Sequence, residues 1–322
     1  MLEVSLGNVR PEEKTNGNRF DVIVIGAGPS GLTSALYASR SRLSTLLLEK
    51  IGSGGQLAIT ADIENYPGFP DGINGFELAQ KMEEQAKRFG AKFEYGEATA
   101  LRKAADGKDF EIVTEDKNFQ ARSVIISTGA SPRRLGVPGE AEFVGRGISF
   151  CATCDAAFYK EKTVAVIGGG DSALDEGLYL TKFAKKVYII HRRNALRAEK
   201  ILQERAFAHP RIEFIWDTVV ENVNGDNKIR SISLKNVKTA AMSELSVDGM
   251  FLYIGLDPNT DIVKGLVNLA PGGYVITDAM MRTNVPGILA CGDVRDTPLR
   301  QVTTAVGDGA IAAHYAEKYL ES

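Results

Sequence analysis

The chain is poor in the residues that would mark a metalloprotein, a disulfide scaffold or a membrane protein. Its 322 residues include three cysteines and three histidines, with a single CxxC pair. A zinc site would need more ligands at suitable spacing, and a disulfide scaffold would need more cysteines, so we predict neither. No apolar run is long enough to cross a bilayer and no signal peptide is recognisable, so we expect a cytoplasmic protein.

The charges of the chain are nearly balanced, with 38 Lys and Arg against 41 Asp and Glu and a formal net charge of −3. This balance argues against a nucleic-acid-binding protein, because phosphate contacts require an excess of basic residues. A hydrophobic content of 44% is ordinary for a globular protein, and the length predicts two domains. The polar residues 1–19 are predicted to form a flexible N-terminal extension.

Residues 20–40, FDVIVIGAGPSGLTSALYASR, carry a dinucleotide-binding pattern of strand, GxGxxG turn and helix. The first glycine permits the tight turn, the second lets a pyrophosphate approach the backbone, and the third lets helix and strand pack closely. These glycines are Gly26, Gly28 and Gly31. The next strand, TLLLE, ends in Glu49, 21 residues after Gly28, where a carboxylate binds the two hydroxyls of a ribose.

The same pattern occurs again in TVAVIGGGDSALDEGLYL, residues 163–180. Its fingerprint positions are Gly168, Gly170 and Ala173. The following strand, KVYII, leads into basic residues, and Arg192 lies 22 residues after Gly170. The second unit therefore has arginine at nearly the spacing where the first has glutamate.

Arginine cannot accept a hydrogen bond from a ribose, but its donors can grip a 2′-phosphate. We predict that Arg192, Arg193 and Arg197 surround such a phosphate; the alternative is a solvated basic face at the start of a helix. The first unit then favours an unphosphorylated adenosine and the second a 2′-phosphorylated one. FAD and NADPH are the common pair with these preferences, which predicts a flavin-dependent reductase.

The C-terminal segment supplies a further strand, at 287–291, and a helix that is predicted to begin near Gln301. Asp293 is placed to bond the ribityl or pyrophosphate part of a flavin. Because this segment has no glycine-rich turn of its own, we predict that it completes the first domain. The expected fold class is α/β, with two Rossmann-like dinucleotide-binding domains. The NADPH domain (134–256) is inserted into a split FAD domain (20–133 and 257–322).

The chain resembles the low-molecular-weight, bacterial-type thioredoxin reductases, which are pyridine nucleotide–disulfide oxidoreductases. The resemblance extends from about Phe20 to Leu320 and includes both fingerprints. The motifs that carry it are GGQL (54–57), ENYPG (64–68), STGA (127–130), CATCD (151–155), HRRNALRAEK (191–200), GDV (292–294) and RQ (300–301).

The resemblance implies that the first unit binds FAD and the second binds NADPH. The implied FAD contacts are Gly26, Gly28, Pro29, Ser30, Gly31, Glu49, Gly55, Gln56, Asn65, Thr128, Gly129, Gly292, Asp293, Arg300, Gln301 and Val302. The implied NADPH contacts are Gly168, Gly170, Asp171, Ser172, Ala173, His191, Arg192, Arg193 and Arg197. For Asn65, the alternative role is to hold a turn before Pro67.

The CxxC pair, Cys151 and Cys154, lies just before the second fingerprint. In a reducing compartment such a pair is more often catalytic or metal-binding than structural, and further metal ligands are lacking. The resemblance implies a redox-active disulfide in which Cys154 faces the flavin and the Cys151 thiolate attacks oxidised thioredoxin. Asp155 is then a general acid–base, or alternatively a helix N-cap. Cys291 is predicted to be an apolar core residue without a catalytic role.

The inserted domain must present both its disulfide and its nicotinamide to one flavin. The resemblance therefore implies that one domain rotates against the other, with hinges in SPRRLGVPG and LYIGLDPNT, where the chain crosses between the domains. The chain departs from the family pattern at Ala156 and Ala157, where a glycine and an aromatic residue are usual. In the family this segment helps to form the apolar pocket for thioredoxin.

These motifs also bear on three other enzyme functions and one non-catalytic function of the same fold. Flavin-type ferredoxin–NADP reductases lack the CxxC pair, and reductases that serve a peroxiredoxin carry an extra thioredoxin-like domain, whereas about twenty residues precede the first fingerprint here. Thioredoxin reductases fed by ferredoxin tend to lose the NADPH motifs. A non-catalytic flavin redox sensor would bind FAD with negligible turnover. We expect a homodimer with thioredoxin as its protein substrate.

Overall fold

The computed structural model of the protein describes residues 17–60, 63–105 and 107–322, except for the side chains of residues 59, 153 and 154. Its first part comprises β1 (Arg19–Ile25), α1 (Pro29–Arg40), β2 (Thr45–Glu49), α2 (Gly75–Arg88), β3 (Lys92–Tyr95), β4 (Ala100–Lys103), β5 (Phe110–Val113), β6 (Asn118–Ile126) and β7 (Ala130–Pro132). Strand β1 already includes Arg19, which pairs with Gln120, so the predicted extension 1–19 is too long by at least this residue. Residues 1–16 of that extension lie outside the described residues.

The middle of the chain forms α3 (Glu140–Phe143), β8 (Ile148–Ser149), α4 (Ala152–Asp155), β9 (Thr163–Gly168), α5 (Asp171–Leu180), β10 (Lys186–Ile190), α6 (Lys200–Ala208), β11 (Ile212–Ile215), β12 (Thr218–Gly225), β13 (Ile229–Asn236), β14 (Met242–Ser246) and β15 (Gly249–Tyr253). The remainder forms β16 (Leu256–Pro258), β17 (Ile288–Ala290) and α7 (Val302–Glu321). Both predicted strand–turn–helix units are present, as β1–α1 and β9–α5.

The first sheet has the strand order β3-β2-β1-β6-β5-β4, and β17 pairs in parallel with the end of β6. Successive residues of β1 point to opposite faces. Ile23 and Ile25 lie in one core, whereas Val22 and Val24 lie in another core together with residues of α1 and α7. Burial on both faces explains the unbroken apolar run of β1. The C-terminal strand therefore belongs to the sheet that begins at Arg19.

The second sheet contains five parallel strands in the order β11-β10-β9-β15-β8. Strand β9 is central, and its residues are divided in the same way between two cores. A separate antiparallel sheet, β12-β13-β14, packs on one of these cores through Val220, Ile232 and Leu234. Since parallel strands end at the same edge, the loops after β9 and β10 face a common site.

The chain passes between the two large sheets at β7 and β16, which pair antiparallel with each other. Arg133 and Asp257 form an ion pair at 2.7 Å across this ribbon. The Asn259 side chain donates to the carbonyl of Thr128 at 2.8 Å. The two predicted crossings therefore lie side by side, while the exact domain boundaries stay a prediction. Within the described ranges, every helix is too short or too polar to traverse a bilayer.

We expect Phe251→Ala to lower the free energy of unfolding by about 3–5 kcal/mol, because it removes a large side chain from a packed core. Phe251 is fully buried, and its ring contacts the edge of Tyr159 at a centroid distance of 5.3 Å. Urea-induced unfolding followed by circular dichroism measures the effect. The control is Phe158→Ala, which should change stability by less than about 0.5 kcal/mol because Phe158 is 71% exposed. Equal losses in both variants would contradict this assignment of the core.

Candidate active site

The first fingerprint turn leaves space for a ligand at one glycine only. A Cβ on Gly31 would lie 1.9 Å from the carbonyl oxygen of Gly26, and one on Gly26 would lie 2.3 Å from that of Ser127. A Cβ on Gly28 would meet nothing within 4 Å. Gly26 and Gly31 are thus required for packing, whereas Gly28 borders open space at the N-terminus of α1, where Pro29 is the first helical residue.

Glu49 lies at the end of β2, as predicted, and its carboxylate is held over the same turn. One oxygen accepts from the amide of Ala27 at 2.7 Å, and the other accepts from the amide of Ile51 at 3.0 Å. The carboxylate is therefore fixed in place before any ligand binds. Its remaining lone pairs are available to accept from ribose hydroxyls.

Three other predicted FAD segments lie against this turn. A Cβ on Gly55 would point at Gly28, one on Gly26 would approach Thr128, and one on Gly292 would approach Ser30. The Ser30 hydroxyl also lies 2.6 Å from that of Ser127. Gly129 has a φ of +64° and ends the loop after β6. The structure thus brings together residues that are up to 266 positions apart in the sequence.

A second group of predicted FAD residues meets at the start of α7. The Asn65 side chain donates to the Gln301 side chain at 3.1 Å, so Asn65 does more than hold a turn before Pro67. Gln301 also caps α7, and Val302 packs against the apolar cluster that contains Leu57. Gln56 is exposed in a short 3-10 turn, Gly55–Ile59.

Arg300 and Asp293 give this region its electrostatic character. The Arg300 guanidinium lies over the ring of Tyr274 at 4.1 Å, and its buried Nε has no hydrogen-bond partner among the described residues. Burial raises the pKa of Asp293; the positive charge of Arg300 opposes this rise, and the negative charge of Asp308 adds to it. A polar ligand at this place would satisfy both groups, and with the open face of Gly28 this arrangement fits FAD.

The second fingerprint turn follows the same design in the other large sheet. A Cβ on Gly168 would lie 2.3 Å from the carbonyl oxygen of Tyr253 and 2.9 Å from the Cβ of Ala173. A Cβ on Gly170 would meet nothing within 4 Å. Asp171 begins α5, and its carboxylate accepts from the amide of Glu199 at 2.7 Å. The third position can be alanine because its methyl group faces a glycine.

Two of the predicted phosphate-binding residues, His191 and Arg197, lie against this turn. Arg192, Arg193, Arg197 and Ser172 are exposed, and the amide of Arg197 donates to the carbonyl of Gly169 at 2.7 Å. His191 is buried, and a Cβ on Gly169 would lie 2.6 Å from its ring.

Burial lowers the pKa of His191, and the charges of Arg197, Arg193 and Arg192 act in the same direction. Its Nε2 lacks a hydrogen-bond partner within the described part of the chain. A buried imidazole and three exposed guanidinium groups fit a phosphorylated nucleotide such as NADPH.

The CxxC segment lies on the same sheet as this nucleotide site. Cys151 is disulfide-bonded, whereas the side chain of Cys154 lies outside the described residues. The hydroxyl of Ser149 accepts from the amide of Cys151 at 3.0 Å and donates to its carbonyl at 3.1 Å. The hydroxyl of Tyr253 accepts from the amide of Ala152 at 2.9 Å.

Asp155 closes the short helix α4, because its amide donates to the carbonyl of Cys151 at 3.3 Å. It precedes a 3-10 turn, Ala156–Tyr159, but its side chain makes no capping bond. Asp155 therefore stands at the N-cap position of this turn without a side-chain capping hydrogen bond, and its role as a general acid–base stays a prediction.

Ala156, where the family pattern usually has glycine, lies in the interior of the protein. Ala156 is 1% exposed and packs in a core with Ala152 and Tyr159, whereas Ala157 and Phe158 are exposed. Ala157 and Phe158 are therefore the residues of this departure that reach the surface, a few positions after the cysteine pair. Cys291 is fully buried, and burial raises the pKa of its thiol to about 11, so it stays protonated near neutral pH.

Ser149 and Tyr253 were missed by the sequence analysis. Both hold the backbone of the CxxC turn, but neither belongs to a motif whose spacing has a chemical meaning. Tyr253 lies about 100 residues from the cysteines and reaches them only because β15 is adjacent to β8 and β9 in the sheet. Only the strand order could have identified it.

Comparison with known proteins agrees with this geometry. Residues 20–309 match the family model described as pyridine nucleotide-disulphide oxidoreductase. A thioredoxin reductase of Listeria innocua is 50% identical over 304 residues, which are 94% of this chain and 94% of that protein.

The chain belongs to the thioredoxin reductase family.

Solved structures of this family superpose on the protein to different degrees. The Lactococcus lactis thioredoxin reductase in its FR conformation gives a TM-score of 0.91 at 49% identity, covering 94% of this chain and 99% of that one. The Streptococcus pyogenes thioredoxin reductase gives a TM-score of 0.63 at 48% identity with the same coverage. The α/β fold with FAD and NADPH domains of the Rossmann type and the two cofactors of the family are thereby confirmed. The contacts assigned to each residue stay predictions.

We expect Gly28→Ala and Gly31→Ala to separate cofactor binding from folding. In Gly28→Ala the methyl group stands where the pyrophosphate approaches, so FAD affinity should fall by roughly tenfold or more while the apoprotein unfolds as before. In Gly31→Ala the methyl group collides with the carbonyl of Gly26, so the apoprotein itself should be destabilised. FAD titration and urea unfolding of the apoproteins measure both effects. Normal FAD affinity in Gly28→Ala would show that the pyrophosphate lies elsewhere.

Proposed function

We propose that the protein reduces the disulfide of oxidised thioredoxin with NADPH as the electron donor. The observation that carries this proposal is the position of Tyr253. Its backbone pairs with Gly168 of the second fingerprint, and its hydroxyl binds the amide of Ala152 in the CxxC turn. The predicted site for a nucleotide with a 2′-phosphate and the disulfide thus lie on the same sheet. FAD, when bound, accepts a hydride from NADPH and supplies two electrons to a disulfide.

The cysteine pair carries the electrons to the partner. The Cys151 thiolate attacks a sulfur of the thioredoxin disulfide; a Cys151–thioredoxin bond forms, and one thioredoxin thiolate leaves. The Cys154 thiolate then attacks the Cys151 sulfur, which releases the second thioredoxin thiolate and restores the Cys151–Cys154 disulfide. Two electrons have moved, and two protons complete the thioredoxin dithiol. Asp155, which is partly buried at the end of α4, exchanges protons with this pair.

The proposal includes a rotation of one domain against the other. Two relatives of nearly equal identity and coverage superpose with TM-scores of 0.91 and 0.63. Such a difference in TM-score between relatives of the same fold supports the proposal that the two halves adopt more than one relative placement. The ribbon of β7 and β16 joins the halves and is the place for the hinge.

The proposal also covers the surface that contacts thioredoxin and the oligomeric state of the protein. Phe158, next to the CxxC turn, exposes 71% of its surface, which suits an apolar contact with thioredoxin. As expected for the family, the protein acts as a homodimer in the cytoplasm. Sedimentation equilibrium tests the dimer, and a monomer that is fully active would contradict it.

The decisive experiment follows NADPH oxidation by the flavin-loaded protein with and without oxidised thioredoxin. We expect oxidation to depend on thioredoxin and to be much slower with NADH. Cys151→Ser and Cys154→Ser should each reduce the thioredoxin-dependent rate to below about 1% of wild type, because one thiol cannot complete the exchange. Cys154→Ser should also retain thioredoxin as a stable mixed disulfide with Cys151. Flavin reduction by NADPH without any effect of thioredoxin would mean that another disulfide is the substrate.

We expect the double variant Arg192→Ala and Arg193→Ala to lose its preference for the 2′-phosphate. Affinity for 2′,5′-ADP should fall by roughly 10–100-fold, because charge-assisted hydrogen bonds are lost, while affinity for 5′-ADP stays the same. Calorimetric titration measures both ligands. Arg230→Ala is the matched control, since Arg230 is exposed in the same domain and pairs with Asp226. Equal weakening for both ligands would show that these arginines do not recognise the phosphate.

A further inference from the structure

A nearly buried ion pair lies behind the turn that carries Asp293. Arg295 Nη1 and Asp308 Oδ2 are 2.9 Å apart, and the two side chains are 14% and 13% exposed. Exposed ion pairs contribute little to stability, whereas removal of one partner from a buried pair leaves an uncompensated charge. The proposed chemistry assigns no role to either residue, and no sequence motif pointed to them.

The Asp308 carboxylate connects three segments of the chain. The oxygen that pairs with Arg295 also accepts from the amide of Gly292 at 3.2 Å. Arg295 Nε in turn donates to the Thr277 hydroxyl at 3.0 Å. Helix α7, the turn at 292–295 and the segment around Thr277 are therefore linked through the Arg295–Asp308 pair. Backbone bonds attach the turn to that segment as well, and within the described residues the hydrogen bonds from the turn to the side chains of α7 run to Asp308.

The turn is confined from the other side by α1. Gly292 has a φ of +74°, and a Cβ at this position would lie 2.4 Å from the hydroxyl oxygen of Ser30. Gly292 thus lies between Ser30 and Asp308, and Asp293 follows it directly. Any shift of Gly292 displaces Asp293, which is partly buried and which the proposed function assigns to FAD.

We propose that Asp308 and Arg295 are positioning residues for FAD, because they hold the Gly292–Asp293 turn in its ligand-binding position before FAD arrives. The proposal rests on the proposed function, in which Asp293 contacts FAD. Its physical basis is preorganisation: a turn that is already in place need not be ordered during binding, so affinity rises. The buried charge of Asp308 requires Arg295 as its partner, which explains why both are present.

The test compares FAD dissociation constants, obtained by titrating apoprotein with FAD and following flavin fluorescence. Asp308→Ala removes the acceptor for Gly292 and isolates Arg295, so FAD should bind roughly 10–100-fold more weakly. The double variant Arg295→Met and Asp308→Asn keeps an acceptor for the amide and leaves no unpaired buried charge. It should bind FAD clearly more tightly than Asp308→Ala, within about tenfold of wild type.

Two controls and one substitute comparison separate an effect on the Gly292–Asp293 turn from a general loss of stability. Glu321→Gln lies at the exposed end of α7, where Glu321 pairs with Lys318, and should leave FAD affinity unchanged. Affinity for 2′,5′-ADP reports on the other domain and should be the same in every variant. If Asp308→Ala does not fold, Asp308→Asn is compared with the double variant instead, and tighter FAD binding in the double variant supports the proposal.

The outcomes also distinguish this proposal from the assignment of Asp293. If Asp293→Asn weakens FAD binding but Asp308→Ala binds FAD like Glu321→Gln, the positioning role is wrong and the FAD site stands. If Asp293→Asn has no effect, Asp293 is not an FAD contact, and the positioning proposal is wrong together with that part of the site. Failure of the double variant to bind FAD more tightly than Asp308→Asn would also overturn the proposal.

Discussion

The FAD half of the molecule depends on the close contact of helices α1 and α7 around Ser30. A Cβ on Gly309 would lie 2.2 Å from the Ser30 carbonyl oxygen, and one on Gly292 would lie 2.4 Å from its hydroxyl. The Ser30 hydroxyl is at the same time 2.6 Å from that of Ser127. Ser30, in the first turn of α1, therefore contacts the C-terminal segment at Gly292 and Gly309, next to the first fingerprint turn. Because two glycines permit this approach, the C-terminal segment completes a site whose other parts come from the N-terminal half.

The NADPH half uses the same steric principle and adds the redox centre to it. Gly169 leaves room for the His191 ring, and Gly168 lies against Tyr253. Parallel strands bring the loops after β9 and β10 to one edge, while β8 delivers the CxxC turn to the same sheet. Tyr253 contacts both regions. One sheet thus carries the predicted nucleotide site and the disulfide, and in the proposed function both act on a flavin that the other domain holds.

One contact between the two halves suits the proposed rotation because it is weak. Arg205 on α6 and Glu64 form an ion pair at 2.9 Å, and their side chains are 48% and 64% exposed. An exposed pair of this kind contributes on the order of 0–1 kcal/mol, so its loss hinders rotation little. The ribbon of β7 and β16 is held more firmly, by paired backbones and by the ion pair of Arg133 with Asp257. In the proposed rotation, the two halves change their relative placement while this connection stays intact.

The sequence by itself determined both fingerprint units, the acidic strand end at Glu49, the basic residue Arg192 just after β10, the CxxC pair and the return of the C-terminal segment to the first sheet. These features are local: glycine spacing and apolar periodicity follow from the geometry of one strand, one turn and one helix. The tertiary structure alone decided the role of Tyr253, the burial of Ala156 and the Arg295–Asp308 pair. Each of these depends on strand order or helix packing between distant segments, such as Gly292 with Ser30, and no short-range pattern encodes such contacts.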